Sequence, residues 1–327
     1  MKKTIICVVL ATAVCILTGG AVFASDYQLK LIKKFYSIGT ASISGTYYPT
    51  GNSIARVLSS NMKGLVAIAE PTAGSLANIE YLRRGQIDLA LLQSDVAWQV
   101  YNTASDTKFR ELRVIASLYS EVIQLIVRED SGIKELSDLK GRRIAVGEKD
   151  SGSAASIIPV LKAAGLEDGD YTIVYERFTR ATESLLDGYV DAVYYAGAVP
   201  ADGISRLAAK IPVRLVGVPT AVRNKIQAEH PYFTSEIILA GSYKNQKSDV
   251  STIGFRALFA GTDKLSANEV FNILHAIYDN PAAADSEAVS DIKLRVNEGL
   301  KGVQPEMLHE GARRFFAMRG MITYSGK

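Results

Sequence analysis

The chain has 327 residues, of which 48% are hydrophobic and 22% are charged, a composition that excludes disordered polyelectrolytes, collagen-like chains and low-complexity chains. The 37 Lys and Arg residues are interspersed with 34 Asp and Glu residues, so no basic stripe indicates a nucleic-acid partner. The length predicts about two domains, whose cores are large enough to fold without disulfides or structural metals.

The first 24 residues have the pattern of a secretory signal peptide. Basic Lys2 and Lys3 precede an uncharged apolar run over 5–17, which is shorter than a membrane span, and a cleavage pattern ends at Ala24. We therefore predict removal of residues 1–24 and a periplasmic or other extracytoplasmic location. Both cysteines lie in this segment, and the mature chain keeps 35 of the 37 basic residues against 34 acidic ones, a net charge of +1. Thiol nucleophiles and disulfides are thereby excluded.

The first half of the mature chain alternates apolar runs with amphipathic segments. We predict strands over 35–39, 65–69, 87–92, 113–117 and 122–127. We predict helices from Pro49 to Met62, from Ser75 to Leu82 and over 96–101, the last with Ser94 as its N-cap.

The same alternation continues after Asp130. Helices are predicted over 133–139, 153–164 and 179–186 and through most of the tail from Ser266, and strands over 143–146, 171–174, 191–195, 213–216, 237–240 and 250–259. This order predicts an α/β fold with a parallel or mixed sheet covered by helices. Because no Pro/Ser-rich linker is present, we expect the chain to cross between its two domains on strand-like segments, near 121–126 and 235–252.

Motifs of enzymes and metal sites are absent from the sequence. His230, His275 and His309 are far apart and fit no metal-ligand spacing, so we expect each to be a surface or helix residue. No nucleophile elbow, Walker A loop or dinucleotide fingerprint is present. The sequence therefore favours a protein without catalytic residues, metal or cofactor.

A repeated junction gives the strongest local signal: a strand ends, a turn rich in Gly, Ser and Thr follows, and a helix begins. It occurs at 44–49, 72–75, 93–95 and 150–153. In an α/β sheet such junctions lie at the carboxyl ends of strands, where helix N-termini can bind an anion through free N–H groups. At any one junction, simple helix capping is an alternative. The two tyrosines of the first turn could cover a small ligand or pack on a neighbouring helix.

Several segments resemble, in the right order, motifs of the TAXI (TRAP-associated extracytoplasmic immunogenic) family of solute-binding proteins. These segments are Ser37-Ile38-Gly39-Thr40 with Gly45-Thr46-Tyr47-Tyr48-Pro49-Thr50-Gly51, Thr72 to Ile79, Asp88 to Ala97, Ala116-Ser117-Leu118-Tyr119, and Arg128 to Ile133 with Asp138 to Arg143. The similarity covers essentially the mature chain and fades in the last helices.

The resemblance implies a two-lobed type II periplasmic-binding-protein fold with a ligand cleft between the lobes. We expect lobe 1 to comprise 25–122 and 240–327, and lobe 2 to comprise 123–239. The expected ligand is a small carboxylate, either a glutamate-like amino acid or a dicarboxylate. The expected partner is the membrane permease of a TRAP transporter, which is driven by an ion gradient, and we expect the binding protein to be a monomer.

The resemblance also implies a set of ligand-binding residues. By motif, these are Ser44, Gly45, Thr46, Tyr47, Ala73, Gly74, Ser75, Gln93, Ser94, Ser151, Gly152, Ser153, Ala196 and Gly197. Two departures fall on lobe 2: Ser153-Ala154 replaces the Thr-Glu common in relatives, and Tyr195 stands where Thr is usual. These leave the ligand's identity open. Arg177 and Arg180 could supply charge, although a solvated role is the usual one.

Two other functions are compatible with the sequence. A binding module that serves a sensor kinase would have the same features, and neighbouring genes would separate it from a transport protein. An exported transferase resembling the porphobilinogen deaminases would need a reactive residue, and the junctions contain no evident Cys, Lys or His for it.

Overall fold

A computed structural model describes residues 34–103, 109–279 and 294–323. The predicted signal peptide, residues 1–24, lies outside these ranges. None of the described helices combines the length and apolar character that crossing a membrane requires.

Ten strands form one mixed sheet in the part of the chain that the structure describes. The strands are β1 Lys34–Gly39, β2 Leu65–Glu70, β3 Leu89–Gln93, β4 Leu112–Arg128, β5 Arg143–Ala145, β6 Thr172–Val174, β7 Ala192–Gly197, β8 Val213–Val216, β9 Thr234–Ile238 and β10 Val250–Thr262. Their order is β2-β1-β3-β10-β4-β7-β5-β6, with β8 paired to β4 and β9 paired to β10. The predicted α/β fold with a mixed sheet is confirmed.

Helices follow most of the strands, as the apolar periodicity predicts. They are α1 Tyr47–Asn61, α2 Ser75–Arg83, α3 Ser94–Asn102, α4 Gly152–Ala163, α5 Phe178–Leu186, α6 Asp202–Lys210, α7 Thr220–Glu229, α8 Ala267–Tyr278 and α9 Glu310–Met318. The sequence reading missed α6 and α7. The helix predicted over 133–139 is wrong: only a 3-10 turn forms, at Leu136–Leu139, because Asp138 accepts hydrogen bonds from the backbone N–H groups of Lys134 and Glu135.

The two strands predicted over 113–117 and 122–127 are one long strand, β4. Ser120 and Glu121, between the two predicted strands, continue the ladder opposite Arg256 and Phe255 of β10. The strand therefore crosses the whole molecule.

The direction of β4 explains where a ligand site can form. Strands β1, β2 and β3 are parallel to one another, and β10 is antiparallel to both β3 and β4, so β3 runs in the direction of β4. Strands β5, β6 and β7 run in the opposite direction, because β7 is antiparallel to β4 and parallel to β5. Both sets thus point their carboxyl ends at the middle of β4, where β7 ends with Gly197 opposite Val122.

The buried apolar side chains form separate clusters on either side of this middle. Two clusters draw their buried members from 36–118 and 257–316, and the other two from 122–255. The predicted division into lobes at 122 and 240 stays a prediction. Tyr243 and Phe255 pack with the two clusters formed by residues 122–255. The apolar packing therefore favours a second crossing between the lobes near residue 256 rather than near residue 240.

Candidate functional site: a cleft at the strand ends

A cleft of about 640 Å³, part of it open to solvent, lies where the carboxyl ends of the two strand sets meet. Four helices, α1, α2, α4 and α5, begin at its walls, with Tyr47, Ser75, Gly152 and Phe178 respectively. The first N–H groups of each helix have no partner within the helix, and the positive end of each helix dipole lies there. The cleft is therefore suited to an anionic group.

Ten of the fourteen residues predicted from the sequence line this cleft. They are Gly45, Thr46, Tyr47, Gly74, Ser75, Gln93, Ser151, Gly152, Ser153 and Ala196. The structure brings them together from both strand sets, and their contact with a ligand stays a prediction.

The other four predicted residues, Ser44, Ala73, Ser94 and Gly197, are not among those that line the cleft. The hydroxyl of Ser94 accepts a hydrogen bond from the backbone N–H of Arg256 at 3.0 Å, and α3 begins at Ser94 itself. The predicted N-cap role of Ser94 is therefore wrong.

The remaining members of this group lie beside lining residues. Gly197 lies against the ring of Tyr195, where a Cβ would be 2.5 Å from the phenol oxygen. The Ser44 hydroxyl lies 2.5 Å from that of Thr179. Ala73 directly precedes Gly74, which does line the cleft.

We call the side of the cleft formed by α1, α2, β3 and β4 the first wall. Its members include Thr46, Tyr47, Gly74, Ser75, Gln93 and Glu121. Glu121, on β4, is 1% exposed, and the hydroxyl of Tyr47 donates to its Oε2 at 2.6 Å. Burial raises the pKa of Glu121 to about 8, with a further rise from Asp95, while hydrogen bonds from Tyr47 and Gln93 and the charge of Arg256 oppose the rise.

Gln93 connects the first wall to the facing helix α4. Its backbone N–H donates to the Ser75 hydroxyl at 3.0 Å. Its Oε1 is buried and has no hydrogen-bond partner in the described part of the chain. The carboxamide lies directly against Gly152, where a Cβ would overlap it and lie 2.9 Å from the Ser75 hydroxyl. The close approach of the two sides therefore requires glycine at position 152.

A second buried acid lies behind the first wall. Asp95, in the first turn of α3, is 1% exposed, and neither of its carboxyl oxygens has a hydrogen-bond partner among the described residues. Burial raises the pKa of Asp95 to about 7, and nearby backbone N–H groups offset this only in part. Two carboxyl groups, those of Asp95 and Glu121, are thus held close together in a region of low polarity.

We call the opposite side, formed by α4, α5 and β7, the second wall. Its members include Ser151, Gly152, Ser153, Phe178, Tyr194, Tyr195 and Ala196. Its hydroxyls serve the local structure: Ser151 caps α4 by accepting from Ala154 N–H at 3.1 Å, and Ser153 accepts from Ala196 N–H at 3.3 Å. The capping alternative thus describes the Ser151 hydroxyl.

Aromatic side chains complete the second wall. The Tyr195 ring stacks on Phe178 with 4.0 Å between centroids. Its hydroxyl lies 3.1 Å from that of Thr46 on the first wall. Burial raises the pKa of Tyr195 to about 12, so this phenol is neutral and acts through hydrogen bonds.

Further contacts join the two sides at the rim. Gln99 Nε2 donates to the Tyr232 hydroxyl at 3.0 Å, and the Trp98 ring lies 5.5 Å from that of Tyr232. The contact between Thr46 and Tyr195 joins the two walls directly, and the contacts of Tyr232 join α3 to the segment after α7. The arrangement is a closed cleft.

Arg177 is the one cationic residue that lines the described cleft. It lies at the mouth, where its side chain is 75% exposed and pairs with Glu148 at 2.7 Å. Arg180 pairs with Glu183 on α5. The solvated role considered for both arginines fits these positions.

The three histidines lie outside the cleft lining. His309 differs from the surface or helix residue expected, because it is 3% exposed and its ring lies between Leu265 O and the N–H of Gly311, which it caps. Its burial lowers its pKa. Within the described ranges, no group of three or more His, Cys, Asp or Glu residues could hold a metal ion.

Glu121, Phe178 and Tyr194 of the walls were not among the predicted site residues, and Tyr195 was noted only as a departure from the family pattern. A signal for Glu121 was present, since it is the one acidic residue of β4. The Tyr195–Phe178 stack had no local signal, because its partners belong to separate elements.

This topology defines the α/β type II periplasmic-binding-protein fold. A substrate-binding protein of an ABC uptake transporter from Streptococcus pneumoniae, with bound histidine, has a similar structure, with a TM-score of 0.50 and 13% identity over 80% of this chain and 94% of that chain. The chain belongs to the NMT1-like family, which matches residues 38–320.

Two further solved structures are similar at lower scores. The alkanesulfonate-binding protein SsuA from Xanthomonas axonopodis pv. citri, bound to MOPS, is 16% identical with a TM-score of 0.47, over 86% of this chain and 83% of that chain. An ancestral arginine-binding protein bound to arginine is 17% identical with a TM-score of 0.49, over 80% and 99%.

Proposed function

We propose that the protein is an extracytoplasmic solute-binding protein that captures a small carboxylate-bearing ligand, a glutamate-like amino acid or a dicarboxylate. One observation carries this proposal: four helix N-termini from the two walls converge on a single closed cleft. Such N-termini bind carboxylates through backbone N–H groups.

The charge of the cleft supports binding through the backbone. The lining has no buried Lys or Arg in the described structure, and Arg177 at the mouth is already paired with Glu148. A ligand carboxylate would therefore be held by the N–H groups at the starts of α1 and α2 and would meet those of α4 after closure. Because only the closed state supplies both sets of contacts, the ligand stabilises that state.

The proposed transport partner is inferred from the sequence. The ordered motifs resemble the TAXI family, so we propose delivery of the ligand to a TRAP-type permease, with this protein as a monomer. A second candidate partner is an ABC permease, since the S. pneumoniae protein with the similar fold is described as serving an ABC uptake transporter. Transport in proteoliposomes separates the two, because a TRAP permease requires an ion gradient and an ABC permease requires ATP.

A transferase function has less support. No Cys, Lys or His is among the residues that line the described cleft, so it contains none of the usual groups for a covalent intermediate other than hydroxyls and carboxyls.

A thermal-shift panel tests the proposed function. We expect residues 25–327 to be stabilised by at least one of L-glutamate, L-aspartate, glutarate and succinate, since a ligand at about 100 times its Kd contributes about 2.7 kcal/mol. For a protein of this size, that corresponds to a rise in Tm of roughly 5 °C.

The double variant Tyr47→Phe/Ser153→Ala should weaken the response and remain folded, because it removes the hydroxyl that donates to Glu121 and the one that accepts from Ala196 N–H, and both residues line the cleft. Ser137→Ala, in the exposed 3-10 turn, is the matched control and should keep it. No response to any acid would contradict the proposal.

A further inference from the structure

The first wall contains a buried acid that faces the ligand space. Glu121 lies at the middle of β4, where the carboxyl ends of both strand sets meet, and it is 1% exposed while lining the cleft. The hydroxyl of Tyr47 donates to Oε2 at 2.6 Å and fixes the orientation of the carboxyl group. The Gln93 side chain also hydrogen-bonds this carboxyl group, which lines the cleft where a ligand can reach it.

Glu121 forms no ion pair among the described residues, and its burial raises its pKa to about 8, so a bound cation would favour the ionised carboxylate. Asp95, on α3, is a second buried acid nearby. The charge of Arg256, on β10, favours ionised Glu121, but its guanidinium binds Ser117 at 2.8 Å, Ser120 at 3.0 Å and Glu298 at 3.2 Å.

A second acceptor adjoins this acid. Gln93 Oε1 is buried, belongs to the same wall and has no hydrogen-bond partner in the described chain. Buried acceptors normally have donors. An ammonium group supplies three N–H donors and a positive charge, whereas a carboxylate supplies neither.

We propose that Glu121 is the specificity-determining residue of the cleft and binds a cationic amino group, so that the ligand is an amino acid rather than a dicarboxylate. This inference rests on the proposed function, and it divides the ligand between two environments. The carboxylate lies at the helix N-termini, and the ammonium lies at Glu121, with Gln93 Oε1 as a further acceptor. A dicarboxylate brings no cation to favour an ionised Glu121 and no donor for Gln93 Oε1, which disfavours its binding.

Matched ligand pairs test this assignment by isothermal titration of residues 25–327. Glutarate is L-glutamate without its amino group, and succinate is L-aspartate without its amino group. We expect the amino acid of at least one pair to bind at least about ten-fold tighter than its partner, a ratio equivalent to about 1.4 kcal/mol.

Substitution of the acid sharpens the test. Glu121→Gln keeps the size of the side chain and its ability to accept from Tyr47 but cannot ionise when an ammonium binds, so the preference for the amino acid should fall about ten-fold or more. Glu183→Gln makes the same change on the exposed face of α5 and should leave the preference unchanged. Far-UV circular dichroism verifies that each variant is folded.

The outcomes separate this inference from the proposed function. Binding of the des-amino acid as tight as that of its amino acid in wild-type protein overturns the role of Glu121 and leaves the carboxylate-binding function standing. A folded Glu121→Gln variant that keeps the wild-type preference also overturns it. If no member of either pair binds, both proposals fail. The wild-type comparison alone decides the question if Glu121→Gln does not fold.

Discussion

The two walls of the cleft are built from different chemistry. The first wall has a carboxyl group in its lining, that of Glu121, a second one behind it, that of Asp95, and a polar network through Tyr47 and Gln93. The second wall is made of small residues, capping hydroxyls and the stacked rings of Phe178 and Tyr195. Each wall also adjoins its own apolar clusters.

This difference indicates a division of roles between recognition and closure. The buried carboxyl groups of the first wall can distinguish ligands, because a buried charge is costly unless a ligand of opposite charge pairs with it. The hydroxyl groups of Ser151 and Ser153 on the second wall already have partners within the protein. Gly152 has no side chain and lies against Gln93 of the first wall, so the second wall contributes a close fit. Substitutions in the first wall should therefore change which ligand is preferred, whereas substitutions in the second wall should change how well the cleft closes.

The largest expected effect concerns the buried acid behind the first wall. The pKa of Asp95 is about 7 in the folded protein against 3.8 as its ordinary value. Between these values the folded state keeps a proton that the unfolded state has lost. The free energy of unfolding therefore falls as the pH rises from about 4 to 7, by at most about 1.4 kcal/mol per pH unit from this group.

Asp95→Asn removes this dependence. Urea unfolding at pH 4 to 8 should show a variant that is progressively more stable than wild type as the pH rises. The difference between the two proteins reports Asp95 together with its effect on the pKa of Glu121, while His309, whose lowered pKa acts in the opposite direction, is present in both. Parallel stability curves would contradict the assignment.

A smaller effect is expected on the second wall. A Cβ at Gly152 overlaps the Gln93 carboxamide and approaches the Ser75 hydroxyl. Gly152→Ala should therefore oppose closure at a cost of about 1–3 kcal/mol, which weakens binding of the acid found in the thermal-shift panel by roughly 10- to 100-fold.

The stability of the Gly152→Ala protein without ligand should change less than its affinity, because an opened cleft relieves the overlap. Isothermal titration measures the affinity, and urea unfolding measures the stability. An affinity equal to that of wild type would show that the close approach at Gly152 is not needed for binding.

The sequence predicted the parts of the site that depend on local geometry. Turns rich in Gly, Ser and Thr between strand and helix located Gly45, Ser75 and Gly152, because a strand-to-helix junction places its turn at the carboxyl end of the strand. Features that depend on distant pairing were missed. The continuity of β4 between 117 and 122 depends on pairing with β10, and the Ser94 hydroxyl, predicted to cap α3, instead accepts from Arg256, 162 residues away.

The central claim is that the two walls close over the ligand, and a cross-link across the cleft tests it most directly. The hydroxyls of Ser44 and Thr179 lie 2.5 Å apart on opposite sides, close to the spacing that a disulfide needs. Residues 25–327 contain no cysteine, so Ser44→Cys/Thr179→Cys forms one defined pair.

The measurement is retention of radiolabelled L-glutamate, or of the panel acid that binds most tightly, by this double variant. We expect protein oxidised before the acid is added to take up none, and protein oxidised in its presence to keep the acid through dialysis until dithiothreitol is added. Equal and rapid exchange in the fully cross-linked and reduced proteins would contradict a cleft that closes over its ligand.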